Sequence, residues 1–77
     1  MFIKRYSLEF DLNNKEINQE EVKKSLLDFG ENINVADNSV NGQKTLKICL
    51  ETLDPATIFD ICAQFGRIGC IKVNEVE

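Results

Sequence analysis

The chain of 77 residues contains no histidine. That removes the commonest general base from any catalytic reading. Its three cysteines, Cys49, Cys62 and Cys70, are odd in number and lack CxxC spacing. They make a poor disulfide framework and a poor zinc site, and read as reduced thiols packing as small hydrophobes. No apolar run approaches the roughly 18 residues that a membrane span needs. The opening MFIKRYSLEF lacks the apolar core of a secretory leader. The expected location is the cytoplasm, with no membrane partner. Positive charge is also scarce: nine Lys and Arg against thirteen Asp and Glu leave a net charge of −4. Such a balance repels phosphate backbones and anionic lipid, so no nucleic-acid partner is expected. Linkers and low-complexity tracts are missing too, and residues 1–77 read as one domain.

What is present is periodic. Over residues 2–12, Phe2, Tyr6, Leu8, Phe10 and Leu12 share one parity, while Ile3, Arg5, Ser7, Glu9 and Asp11 share the other. Period two on this scale predicts a strand with one buried and one wet face. After a polar loop over residues 13–17, Asn18 is placed to cap a helix, with Glu21 three residues on. Val22, Leu26 and Phe29 form the helix stripe with Leu27 beside it, and Gly30 is the expected left-handed stop.

The stretch VNGQKTLKICLE carries the strongest short-range hairpin signal, an Asn-Gly pair between alternating residues. It joins strands predicted over residues 33–40 and 43–51. A two-residue turn at Asn41 and Gly42 pairs Val40 with Gln43. Counting back sets Ala36 opposite Lys47, Val35 opposite Ile48, Asn34 opposite Cys49 and Ile33 opposite Leu50. Apolar then meets apolar across the ladder, and a slip of one residue would mix the faces. A second helix starts at Asp54, a capping residue, with Pro55 at its first position. Ile58, Ile61, Cys62 and Phe65 form its stripe, Phe59 lies at the edge, and Gly66 stops it. The last strand covers residues 67–76. Ile71 and Val73 are expected to point inward, and Ile68, Cys70, Lys72 and Asn74 outward.

The element order is βαββαβ, an α+β two-layer sandwich with two helices on one face of a four-stranded antiparallel sheet. The pattern resembles the ferredoxin-like plait over essentially the whole chain, which implies the strand order 4-1-3-2. Many unrelated functions share that plait.

With both helices on one side, the other side of the sheet meets water or a partner. By parity it carries Ile3, Arg5, Ser7, Glu9, Asn34, Ala36, Asn38, Val40, Thr45, Lys47, Cys49, Glu51, Ile68, Cys70, Lys72 and Asn74. We take Arg5, Ser7, Ala36, Lys47, Cys49, Cys70 and Lys72 as the candidate interaction face. The bland alternative is a solvated face whose charges guard the sheet against edge pairing. RNA recognition motifs have this architecture but stack bases on aromatic residues of strands one and three. Here those places hold Arg5, Ser7, Thr45, Lys47 and Cys49. Heavy-metal-associated domains carry CxxC after strand one, where this chain has LNNKEIN. The glycine-rich phosphate loop of acylphosphatases has no counterpart either, and Glu20 and Glu21 occupy the helix start that an anion would need.

In strand, helix and loop lengths the chain resembles ACT-type small regulatory domains. That resemblance implies an amino-acid effector held between subunits near the loop after strand one, with Asn13 and Asn14 as the candidate ligand groups. Plain turn chemistry accounts for an Asn-Asn pair equally directly. No cofactor is expected. The reading reached is a non-enzymatic binding or regulatory module. It self-associates, or docks to a protein partner, through the open sheet face or an edge strand, with a small effector as a further option. The alternative is a small enzyme with an unrecognised site near the loop after strand one or at Cys49.

Overall fold

The computed structural model describes residues 4–14, 16, 18–38 and 44–76. The expected turn at Asn41 and Gly42, with Val40 and Gln43, and the first residues including Phe2 and Ile3, lie outside that range. Six elements follow in order: β1 (Arg5–Asn13), α1 (Gln19–Leu26), β2 (Glu31–Asp37), β3 (Thr45–Thr52), α2 (Pro55–Ala63) and β4 (Arg67–Val76). All strand pairs are antiparallel, and the sheet order is β2-β3-β1-β4. That is the expected 4-1-3-2 read from the other edge, an α+β arrangement compatible with the ferredoxin-like plait.

Side-chain alternation decides which face is which. Leu8, Phe10 and Leu12 of β1 and Leu46, Ile48 and Leu50 of β3 stand opposite one another and are buried. Val22 and Leu26 of α1 and Ile58 and Cys62 of α2 close over them. Phe10 meets Phe59 edge to face, with ring centroids 5.3 Å apart. The β2–β3 ladder has the expected register, with Asn34 against Cys49, Val35 against Ile48 and Ala36 against Lys47. Toward the start of β2 the register shifts, so that Glu31 faces Glu51. Asn32, at φ 53°, takes up the extra residue in the left-handed region.

Both helix starts are capped as their sequences require. The Asn18 carboxamide oxygen accepts the amides of Glu20 and Glu21 at 2.9 and 3.3 Å. Asp54 accepts the Thr57 amide at 3.3 Å and the Thr57 hydroxyl at 2.6 Å. That hydrogen bonding holds the Asp54 carboxyl below its ordinary range. One expected helix stop differs. Gly30 is not left-handed; its amide donates to the Leu26 carbonyl at 3.0 Å. Glycine suits the position because a Cβ there would lie 3.2 Å from the Leu50 side chain and 3.3 Å from the Glu51 carbonyl. Gly66 has a stronger reason: a Cβ would lie 2.4 Å from the Asn13 carbonyl oxygen.

A bulge in β4 corrects one inward–outward assignment. Leu8 pairs with Val73 and Glu9 with Lys72, but Asp11 pairs with Gly69 and Leu12 with Ile68. The change of register falls at Cys70, whose φ is 52°. It inverts the parity of everything before it, so Ile68 stands opposite buried Leu12 and packs against the core rather than outward.

Candidate functional site

The open face of the sheet is organised around Glu9. It lies across from Cys49 on β3 and Lys72 on β4. Lys47 Nζ reaches it at 2.8 Å. Lys47, and more weakly Lys72, hold the Glu9 carboxyl below its ordinary range, and Glu9 raises Lys47 in return. Arg5 at the start of β1 meets Glu31 of β2 at 3.4 Å. Ser7 stands opposite Glu51 and Asn74, and Ala36 is exposed beside Lys47. The structure therefore brings Ser7, Ala36, Lys47, Cys49 and Lys72 onto one face around Glu9. Arg5 lies toward its end. Cys70 sits apart on the edge-strand bulge. The charges of this face are largely paired with one another.

The thiols differ in setting. Cys62 is buried on the core side of α2, and burial pushes its thiol up to about 11. Cys49 is half-buried, Cys70 is exposed, and all three are free. Among the described residues no group of His, Cys, Asp or Glu side chains gathers as a metal site would require.

Asn13 and Asn14 are both engaged within the fold. The Thr45 hydroxyl donates to the Asn13 carboxamide oxygen at 2.6 Å. The Asn14 amide group donates to the Phe65 carbonyl just past the end of α2, and its oxygen accepts the Glu16 amide at 3.0 Å. Together with the close approach of Gly66, these bonds tie the end of β1 to the end of α2.

Two features escaped the sequence reading. The first lies on β4, an edge strand of ten residues that, among the described strands, pairs with β1 alone. Val73 stands opposite Leu8 on the helix side, yet Val73 is 47 % and Ile71 53 % exposed. A nine-residue helix covers only about 13 Å, against roughly 33 Å for a ten-residue strand. The inward parity was legible, but the shortfall in cover follows from comparing element lengths. The second feature is a cavity of about 470 Å³ at the end of the sandwich where α1 finishes and α2 starts. Leu27, Phe29 and Leu53 line it, all half-exposed, with Arg5, Asp28, Glu31, Glu51 and Asp54. Buried Thr52 ties its floor together: its hydroxyl donates to the Phe29 carbonyl at 2.8 Å and accepts the Asp54 amide at 3.1 Å. The sequence places Phe29 on the apolar stripe of α1, but the helix ends at Leu26 and leaves Leu27 and Phe29 outside the core.

No protein-family model, no curated protein and no solved structure matches the chain.

Proposed function

We propose that this protein is a non-enzymatic binding module that self-associates through the β4 edge. The observation that carries the reading is the pair Ile71 and Val73. Both are half-exposed, with Val73 opposite Leu8, on a long strand whose outer hydrogen-bonding groups meet no other described strand. An edge of this kind is a template for pairing with another chain. The open sheet face competes poorly for the role, because Glu9 and Lys47 at its centre already engage each other.

In the segment after the bulge, IKVNEV, residues 71–74 alternate, and Glu75 places a charge on the parity of Ile71 and Val73. In a two-fold antiparallel pairing centred on Val73, Val73 meets its own copy, Lys72 faces Asn74 and Ile71 faces Glu75. Centring on Lys72 instead would set two like charges opposite each other, which disfavours that slip. The favoured register sets Val73 against its own copy beside the two α2 helices, with Ile71 on the diagonal and Glu75 directly opposite it. A dimer of this form is an isologous assembly. It accommodates a regulatory role of the ACT type, in which neighbouring subunits share an effector.

Light scattering over a concentration series tests the reading. The wild-type mass should rise to that of a dimer by high micromolar concentration. Val73→Lys should stay monomeric with its melting temperature little changed, since surface substitutions of this kind are usually within about 0.5 kcal/mol. A wild type that stays monomeric throughout, or a Val73→Lys variant that dimerises equally well, contradicts it.

A further inference from the structure

We infer that the cavity at the end of the sandwich binds a small organic ammonium ion, with its hydrocarbon body against Leu27, Phe29 and Leu53 and its charge at Glu31 and Glu51. This inference does not depend on self-association. The cavity is about 470 Å³, within the roughly 300–1,000 Å³ usual for small-molecule sites.

Its charge is one-sided. Among the described residues, Asp28, Glu31, Glu51 and Asp54 line it with Arg5 as the one cation, a net charge of −3 in a chain whose total is −4, and both Asp54 oxygens accept from Thr57. Arg5 is engaged by Glu31 at 3.4 Å. Low-dielectric walls beside charges of one sign concentrate the opposite ion. Glu31 and Glu51 are moreover direct cross-strand partners; Arg5 meets Glu31, and the Asn32 side-chain amide donates to Glu51. A bound cation adds a countercharge between the two carboxylates as well as filling the cavity.

The apolar floor selects among cations. Leu27, Phe29 and Leu53 are between 50 and 57 % exposed, so a bare metal ion or ammonium leaves them wet. A ligand with an aromatic or branched body covers them and brings its charge to the carboxylate rim. Phe29 also offers an aromatic ring to a cation. Carboxylate ligands meet repulsion from the rim, and neutral ligands lose the charge contact.

The test is an amide chemical-shift titration at low salt with three probes of similar shape: phenethylammonium, 2-phenylethanol and 3-phenylpropanoate. Phenethylammonium should give saturable shifts confined to residues 27–31 and 51–54, and should bind about tenfold more tightly than the alcohol. The carboxylate should give none. Added salt should weaken the ammonium and leave the alcohol unchanged. Glu51→Gln and Glu31→Gln each remove one of two opposed carboxylates, so both variants should fold. Each should weaken the ammonium several-fold without affecting the alcohol. Equal binding of ammonium and alcohol, shifts elsewhere, no saturable shift, or ammonium affinity unchanged in both variants would overturn the inference.

Discussion

At the scale of single residues, the tightest constraints are steric and concern Gly66 and Cys62. A methyl group on Gly66 would press into the Asn13 carbonyl at 2.4 Å and the Asn14 Cβ at 3.0 Å, at the tie between β1 and α2. Gly66→Ala should therefore lose about 1–3 kcal/mol in urea unfolding, the usual scale of overpacking. Gly69→Ala is the control. Nothing lies within 4 Å of its added Cβ, and no comparable loss is expected. Cys62 makes a pH prediction. Burial raises its thiol from 9.0 to about 11, so the folded state holds the proton more tightly than the unfolded chain. Its stabilising contribution is then complete below pH 9 and fades as pH rises through 11, by about 2–3 kcal/mol. Cys62→Ala should flatten that alkaline limb in unfolding curves measured against pH. A thiol reagent at neutral pH should label exposed Cys70 first and Cys62 only as the molecule unfolds.

At the scale of elements, the helices depend on their caps because both are short. Asn18→Ala and Asp54→Ala should each cost about 1 kcal/mol in chemical unfolding. Asp54 adds a pH signature. Its carboxyl is held below 3.8 by hydrogen bonds from Thr57, so its contribution is present above that value and is lost as pH falls below it. The acid limb of stability should be shallower in Asp54→Ala than in the wild type. The caps, the faces of β1 and β3 and the β2–β3 register from Asn34 to Ala36 were legible in the sequence, since each rests on residue types at short range: Asn18, Asp54 with Pro55, and alternation around an Asn-Gly pair. The bulge at Cys70 was not. Nothing in RIGCIKV marks a cysteine in the left-handed region, where the adjacent Gly69 would be the ordinary choice. One unmarked residue therefore turned Ile68 from the expected outer face to the core. Asn32 and the facing Glu31 and Glu51 escaped notice for the same reason, because a uniform ladder sets Glu31 out of register with Glu51.

At the scale of the whole molecule, two helices of eight and nine residues leave parts of a longer sheet uncovered. The consequences are the end cavity around Leu27, Phe29 and Leu53 and the half-exposed pair Ile71 and Val73. Neither follows from any local motif; both come from the mismatch between short helices and long strands. The Glu9, Lys47 and Lys72 cluster was foreseeable in outline from parity, while its internal pairing required the observed register. The described helices include none long and apolar enough to cross a membrane.

The most direct measurement is amide hydrogen exchange along β4 at low and at high protein concentration. If β4 is the contact, amides of residues 71–76 that point away from β1 should exchange quickly in the dilute sample and become protected in the concentrated one. The same amides should stay fast at both concentrations in Val73→Lys. Fast exchange of those outward amides at every concentration, or concentration-dependent protection confined to β1 and β3, would contradict the account.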